Sequence, residues 1–272
     1  MNDLSNKIIV ITGATSGIGK ALAEIALRQG AKVAVCARKL EQLQTIFGTN
    51  ENVYLAKADV SRWEDCATFV SGIIEKWGRI DILINNAGIS MRALFDEADL
   101  SVIQELMNIN FWGSVHMTKL CLPQLMQSKG VVCSVSSIAG YRGLPGRTGY
   151  SASKFALQGF MEALRTELLQ TGVHVMWVSP GFTNSNIRNV ARNAQGQAQA
   201  ETPLEEGKLM SSEECASIIL QGVLLRKRTV VMTGQGKLTV WLNKLLPSLA
   251  DKLVYKHFLK EPGSPLTKYA NR

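Results

Sequence analysis

The chain has 272 residues, of which 46% are hydrophobic; this is enough for one sizeable α/β core and is not typical of a disordered protein. Its formal net charge is +8, but ten of the 30 Lys and Arg residues and only two of the 22 Asp and Glu residues follow position 225. The first 225 residues are therefore neutral, which argues against a nucleic-acid-binding face on the main fold and places the excess charge in one terminal segment.

Several further classes are disfavoured by the sequence. The chain starts with a short polar leader that fits no signal peptide, and no stretch approaches the apolar length needed to span a bilayer. The five cysteines are scattered without a C-x-x-C pair, which predicts reduced thiols and a cytoplasmic location. The three histidines lie far apart and form no H-E-x-x-H motif, so we expect no metal site.

Short apolar runs alternate with helical patterns along most of the chain. The apolar runs predict strands at 7–12, 32–36, 53–57, 81–85, 131–136, 174–179 and 229–232. The helical patterns cover about 17–29, 38–47, 61–77, 100–128, 150–171 and 213–226, and Ser61 with Glu64 and Ser211 with Glu214 form capping-box signatures. This alternation predicts a doubly wound, Rossmann-like parallel sheet of about seven strands with helices on both faces.

A glycine-rich turn follows the first strand directly. Gly13, Gly17 and Gly19 lie in the stretch T-G-A-T-S-G-I-G-K, which also contains Thr15, Ser16 and Ile18. Glycines here allow the backbone to approach a pyrophosphate, and the helix that follows presents its N-terminus to the phosphates. A purely structural turn is the alternative, and a P-loop is disfavoured because Gly19-Lys20 is followed by Ala21.

The end of the second strand reads Ala37-Arg38-Lys39 and has no carboxylate. Folds that bind NAD usually place Asp or Glu here, to bind the ribose 2′-hydroxyl, whereas Arg pairs with a 2′-phosphate. The pattern favours NADP(H) over NAD(H), with Arg38 and also Lys39 as ligands; two solvated charges that open a helix are the alternative.

The stretch Tyr150-Ser151-Ala152-Ser153-Lys154 fits two catalytic patterns. Ser151 and Lys154 form the S-x-x-K of penicillin-recognising acyl enzymes, but the S-D-N and K-T-G motifs that should accompany it do not occur in the chain. Tyr150 and Lys154 lie one helical turn apart and can reach the same ligand, which suits proton transfer. The serines are then expected to be spacers, and a plain helix start is the structural alternative.

Taken in order, these motifs resemble those of the classical short-chain dehydrogenases/reductases. The resemblance extends from about residue 8 to 232 and rests on the glycine turn, Asp59-Val60, Asn85-Asn86-Ala87-Gly88, Asn110, Ser137, Tyr150-x-x-x-Lys154 and Pro180-Gly181. It implies an oxidoreductase that interconverts a ketone or aldehyde and an alcohol, and a homo-oligomer.

The resemblance also implies a role for each matching position. Asp59 would contact the adenine amino group beside the Val60 backbone, and Asn86, Ala87 and Gly88 would lie along the adenosine ribose. Ser137, preferred to Ser136 by strand alternation, would bind the substrate carbonyl. Tyr150 would donate the proton, Lys154 would hold the nicotinamide ribose, and Asn110 would position a water in the proton relay.

One position departs from the family pattern. After Pro180-Gly181 the family usually has a Thr where this chain has Ser185, and Thr183 offers a second hydroxyl. Either side chain could bind the nicotinamide carboxamide.

The pKa of Tyr150 is expected to fall. A free tyrosine, with a pKa near 10, is a poor acid–base catalyst near neutrality. The Lys154 ammonium and a cationic nicotinamide would favour the phenolate and lower this pKa.

Two segments fall outside the motifs. A polar loop at about 186–210 would lie near the carboxyl ends of the strands and serve as a substrate loop. The basic segment 237–272 follows a catalytic and cofactor-binding domain at 1–236, and residues 237–260 alternate lysines with apolar residues such as Trp241, Leu245 and Leu249. This pattern fits either a helix packed on the core or a subunit, or an amphipathic surface for membranes or lipid-like substrates.

The sequence therefore predicts an NADP(H)-dependent carbonyl/alcohol oxidoreductase acting on a small, lipophilic molecule such as a keto-lipid or steroid. It is expected in the cytoplasm or at a membrane surface. A nucleotide-binding sensor or scaffold without turnover is the alternative.

Overall fold

The computed structural model describes residues 3–181, 183, 187–188, 190–199 and 209–270. Seven strands form one parallel sheet in the order β3-β2-β1-β4-β5-β6-β7. The strands are β1 (Ile8–Thr12), β2 (Lys32–Ala37), β3 (Val53–Lys57), β4 (Ile82–Asn85), β5 (Val131–Val135), β6 (His174–Ser179) and β7 (Thr229–Val231). The predicted doubly wound sheet is confirmed, and each predicted strand end is correct to within one residue.

Helices connect the strands and cover both faces of the sheet. They are α1 (Gly17–Arg28), α2 (Leu40–Phe47), α3 (Trp63–Trp77), α4 (Leu100–Leu106), α5 (Gly113–Ser128), α6 (Thr148–Glu167) and α7 (Ser212–Leu224). Leu22, Leu43 and Ile219 bring α1, α2 and α7 into the core on one face, and Phe69 and Met161 bring α3 and α6 into the core on the other. The strands β1, β4 and β5 are buried along their whole length, as expected for parallel strands covered on both sides.

Two local predictions were wrong. The predicted helix 100–128 is interrupted at Met107–Trp112, where the turns widen to π-helical geometry. The Ser61 capping box does not form, because the Ser61 hydroxyl donates to Asp59 Oδ1 and α3 begins at Trp63. The second capping signature is correct: Ser211 Oγ accepts a hydrogen bond from the Glu214 backbone N–H at the start of α7.

Three further helices follow β7: α8 (Gly234–Leu245), α9 (Pro247–Leu259) and α10 (Thr267–Ala270). Helix α8 packs on the loop after β5, where a Cβ at Gly236 would lie 2.7 Å from Ile138 Cδ1. Phe258 of α9 is buried against Leu94 and Leu266. Within the described residues, no helix is long and apolar enough to cross a membrane.

Candidate active site

A cavity of about 600 Å³ lies at the carboxyl ends of the strands. It begins where β1 and β4 are neighbours, which is the point at which the strand order reverses and where sheets of this kind bind ligands. Most of the residues singled out from the sequence line this one cavity: Gly13, Thr15, Ser16, Gly17, Ile18, Gly19, Arg38, Lys39, Asp59, Val60, Asn86, Ala87, Gly88, Ser137, Tyr150, Lys154, Pro180, Gly181 and Thr183. The tertiary structure thus brings together residues that are distant in sequence.

The glycine turn leaves room for a ligand backbone or phosphate. Gly13 has φ +71°, a left-handed conformation that favours glycine, and a Cβ there would lie 2.8 Å from Ala87 Cα. At Gly19 a Cβ would lie 2.2 Å from the Gly13 carbonyl oxygen. The first turn of α1 faces the cavity, and its N-cap residue, Ser16, makes no side-chain capping bond. This geometry fits a pyrophosphate at the helix N-terminus.

Asn86 ties the end of β4 to this turn. Its Nδ2 donates to the carbonyl oxygens of Thr12, at 2.9 Å, and Gly13, at 3.1 Å. In return, Thr12 Oγ1 accepts hydrogen bonds from the backbone N–H groups of Asn86 and Ala87, both at 3.0 Å. These bonds fix the floor of the cavity between β1 and β4.

The cavity is cationic. Arg38 and Lys39 are exposed at its β2 end, where Lys39 is also the N-cap residue of α2. Among the described lining residues there are six Arg or Lys side chains and a single carboxylate, that of Asp59. Asp59 Oδ1 accepts hydrogen bonds from the Ser61 backbone N–H and hydroxyl. The excess positive charge suits a polyanionic ligand.

The other end of the cavity holds Ser137, Tyr150 and Lys154. Lys154 is 4% exposed, and its Nζ donates to the Val135 carbonyl oxygen at 2.9 Å and lies 5.8 Å from the Tyr150 ring centroid. Burial lowers the pKa of Lys154 to about 8. Ser137 Oγ accepts a hydrogen bond from the Ala139 backbone N–H, whereas Ser136 Oγ accepts one from the buried amide of Gln158.

The pKa of Tyr150 moves in the direction opposite to that expected. Burial of the phenol raises it, and hydrogen bonding to Ser137 and the charge of Arg147 oppose this rise. The expectation considered the Lys154 ammonium and a cationic nicotinamide and left out desolvation, which is the largest effect in the protein itself. In the protein itself Tyr150 is therefore held as a neutral phenol, which is the form that can donate a proton.

Asn110 stands apart from the other predicted residues. It is fully buried in the π-helical segment and is not among the described residues that line the cavity. Its Oδ1 accepts from the Ile89 N–H at 2.8 Å, and its Nδ2 donates to the Ile89 carbonyl oxygen and to Ser153 Oγ, both at 2.9 Å. The side chain thus links β4, the π-helical segment and α6, and contact with a relay water stays a prediction.

The serines next to Tyr150 are not mere spacers, so that expectation was wrong. Ser153 Oγ receives the Asn110 amide and donates to the Tyr150 carbonyl oxygen at 2.7 Å. Ser151 Oγ accepts a hydrogen bond from the Leu144 N–H at 3.1 Å. This bond fixes the segment between β5 and α6, residues 136–147, to the start of α6; we refer to this segment as the active-site loop.

Apolar side chains also line the cavity, among them Ile89, Leu144, Ile187, Val190 and Ala198. The last three belong to the predicted substrate loop. Thr183 lines the same region and donates to the Gly181 carbonyl oxygen at 3.3 Å, while the alternative carboxamide ligand, Ser185, lies outside the described residues.

A family model described as short chain dehydrogenase matches residues 7–196, well over half of the chain. The chain belongs to the short-chain dehydrogenase family. It is therefore an oxidoreductase with a nicotinamide cofactor.

Relatives of this short-chain dehydrogenase match nearly its whole length. It is 32% identical to "Dehydrogenase/reductase SDR family protein 7-like" of Drosophila melanogaster, over 95% of this chain and 82% of that protein. It is 31% identical to "11-beta-hydroxysteroid dehydrogenase A" of Sesamum indicum, over 97% of this chain and 78% of that protein.

Solved structures share the fold. A short chain dehydrogenase from Burkholderia cenocepacia in complex with NADP superposes with a TM-score of 0.79 at 23% identity, over 93% of this chain and 98% of that one. A short chain dehydrogenase/reductase from Burkholderia phymatum in complex with NAD has the same TM-score at 22% identity, over 92% of this chain and 96% of that one. These similarities establish the architecture, and neither cofactor is favoured by them.

Sequence reasoning missed an ion-pair cluster near Tyr150 in this short-chain dehydrogenase. Arg147 lines the cavity, and its Nη2 lies 3.0 Å from Glu261 Oε2, while Arg92 Nη2 lies 3.8 Å from the same oxygen. The Arg147 guanidinium also lies over the Phe258 ring, 4.6 Å from its centroid. Arg147 and Glu261 are 114 residues apart, so no local pattern could have paired them.

Proposed function

We propose that this protein is an NADP(H)-dependent oxidoreductase that interconverts a neutral, lipophilic ketone or aldehyde and the corresponding alcohol. The observation that carries the proposal is the convergence of Ser137, Tyr150 and Lys154 in one cationic cavity, which apolar side chains also line. The cofactor would supply the hydride, and the protein would orient the reactants and manage the proton.

Tyr150 and Ser137 would act together on the carbonyl oxygen. Ser137 would donate a hydrogen bond to this oxygen, and Tyr150, held neutral by burial, would donate the proton during reduction. Ser136 is less suited to the role because its hydroxyl is engaged by Gln158. Lys154, charged below a pKa of about 8, would bind the nicotinamide ribose and stabilise the phenolate that remains.

The preference for NADP(H) rests on Arg38 and Lys39. Both side chains line the cavity at the end of β2 and are exposed, so both can reach a 2′-phosphate without being desolvated first. Neither of the two residues directly after β2 carries a carboxylate that could accept a ribose 2′-hydroxyl or repel a phosphate.

Two observations support a neutral, lipophilic substrate. Among the described residues, three arginines besides Arg38 line the cavity, and each has a partner in the protein. Arg147 pairs with Glu261 and Arg192 with Glu105. Arg188 Nη1 donates to the Thr183 carbonyl oxygen at 2.9 Å, so these guanidinium groups are not set aside for a substrate carboxylate. Apolar side chains also line the cavity. A steroid-like substrate is in keeping with the names of the relatives described as 11-beta-hydroxysteroid dehydrogenases.

A homo-oligomer and a cytoplasmic location belong to the same proposal. All five cysteines are free and buried, which suits a reducing compartment. Trp112 of the π-helical segment and Phe155 of α6 are about half exposed, and a second subunit could cover them.

The experiment that tests this function follows NADPH oxidation with a panel of ketones that includes steroids, long-chain keto-lipids and keto acids. We expect turnover of neutral lipophilic ketones, and a loss of about two to four orders of magnitude in kcat for Tyr150→Phe with an unchanged NADPH Kd. Tyr255→Phe, at a more exposed position away from the cavity, is the matched control and should be fully active.

Retained turnover in Tyr150→Phe would refute the proton-donor assignment. NADPH binding without turnover of any ketone or alcohol would instead favour the sensor or scaffold.

A further inference from the structure

The outward faces of α8 and α9 combine exposed apolar and cationic side chains at helical spacing. In α8, Leu238, Trp241 and Leu245 are 60%, 56% and 54% exposed, and Lys237 and Lys244 share their face. In α9, Leu249, Lys252, Leu253 and Lys256 are all exposed and recur at three- and four-residue intervals, so they form one stripe. We refer to these nine residues as the C-terminal face.

Both stripes point away from the body of the protein. The buried residues Gly236 of α8 and Ala250 and Phe258 of α9 mark the side of each helix that packs on the body. Arg142, which lies in the active-site loop between β5 and α6, donates to Asn243 Oδ1 of α8 and forms an ion pair with Asp251 of α9, so these two residues lie on the side of each helix that faces Arg142. A helical residue two positions away is rotated by about 200°. Trp241 and Leu245 flank Asn243, and Leu249 and Leu253 flank Asp251, so all four point away from Arg142.

The lysines of the C-terminal face are not paired with the acidic residues of the segment after β7. After β7 the described chain contains two acidic residues, Asp251 and Glu261. Asp251 pairs with Arg142, and Glu261 is buried between Arg92 and Arg147. Both carboxylates are therefore already paired with arginines outside the segment, while Lys237, Lys244, Lys252 and Lys256 surround the exposed apolar side chains.

We propose that the C-terminal face binds the surface of an anionic lipid bilayer. Leucine and tryptophan side chains would enter the boundary between headgroups and acyl chains, and the lysines would contact the anionic headgroups. A second copy of the chain fits less well, because lysine is depleted from the cores of protein interfaces and two cationic faces repel each other. Because α8 packs on the loop of Ile138, bilayer binding places the cavity next to a source of lipophilic molecules.

The test is cosedimentation of the full-length protein with vesicles of phosphatidylcholine alone or mixed with phosphatidylserine. We expect binding to the mixed vesicles that weakens with salt, and little binding to phosphatidylcholine alone. Trp241→Ser/Leu245→Ser and Lys244→Gln/Lys252→Gln should each weaken binding by about tenfold or more. Matched controls on other faces, Trp63→Ser/Leu100→Ser and Lys57→Gln/Lys119→Gln, should bind like the unaltered protein.

An unchanged circular dichroism spectrum and Tm in every variant would show that the fold is intact, so this test does not depend on the proposed cofactor or reaction. Absence of vesicle binding, or equal binding by all variants, would overturn the proposal. So would a change in oligomeric state in Trp241→Ser/Leu245→Ser without any effect on vesicles, because the face would then be a subunit contact.

Discussion

The ammonium group of Lys154 is buried, and burial lowers its pKa. The pKa falls from 10.5 to about 8, so the folded protein releases this proton more readily than the unfolded chain. Between these two pH values the unfolded chain binds the proton and the folded chain does not. The contribution of Lys154 to the free energy of unfolding therefore increases as the pH rises from about 8 to 10.5.

This sign leads to a prediction for Lys154→Met, in which the position no longer titrates. The free energy of unfolding of the variant minus that of the unaltered protein should fall by about 3 kcal/mol between pH 7 and pH 10.5. Urea unfolding at a series of pH values measures this difference. A flat profile for Lys154→Met would contradict the burial argument.

Arg38 is the residue on which the cofactor preference depends. In Arg38→Asp a carboxylate would repel a 2′-phosphate and could accept a hydrogen bond from a ribose 2′-hydroxyl. We expect the Kd of NADPH to rise by about tenfold or more while that of NADH is unchanged or falls. Fluorescence titration measures both constants, with Lys119→Asp as an exposed control; an unchanged ratio of the two would remove the argument for NADP(H).

At the scale of elements, the segment after β7 is joined to the rest of the chain by several ion pairs, and two of its carboxylates differ in burial. Glu261 is 4% exposed at its side chain and faces Arg92 and Arg147, whereas Asp251, paired with Arg142, is 66% exposed. Removing one partner of a buried pair leaves uncompensated charge, while an exposed pair contributes little.

We therefore expect Glu261→Gln to lower the free energy of unfolding by about 3 kcal/mol. Asp251→Asn, the matched control in the same segment, should lower it by less than about 1 kcal/mol. Calorimetry checks both values, and equal changes in the two variants would show that the burial of Glu261 has no energetic consequence.

Some helix starts and turns could be predicted from the sequence, and others could not. The helix start at Ser211 was predictable because both partners of its capping bond lie three residues apart. The π-helical turn at Asn110 was not, because its side chain bonds to Ile89 on another element. Ser61 failed as a cap for a different, local reason: Asp59, two residues earlier, accepts the hydrogen bond of its hydroxyl.

At the scale of the whole molecule, the terminal helices share a core with the rest of the chain. Phe258 and Leu266 are buried against Leu94, and Glu261 closes the ion-pair cluster. We propose that residues 237–272 form part of the same cooperative unit as 1–236. The full chain should then unfold in a single calorimetric transition, since separation of the segment would expose this core and break both ion pairs of Glu261.

A chain truncated before Lys237 should have a lower Tm than Glu261→Gln, because it loses the apolar contacts as well as the ion pair. Two transitions in the full chain, or an unchanged Tm after truncation, would instead identify the segment as peripheral.

The sequence by itself determined the alternation of strands and helices, the glycine turn, the basic end of β2 and the spacing of Tyr150 and Lys154. Each of these is a pattern among residues a few positions apart, where periodicity and backbone sterics act directly. The tertiary structure decided what depends on distant neighbours: the burial that raises the pKa of Tyr150, the Asn110 bonds to Ile89, and the Arg147–Glu261 pair. Burial and charge pairing arise only when the chain packs, so local patterns do not encode them.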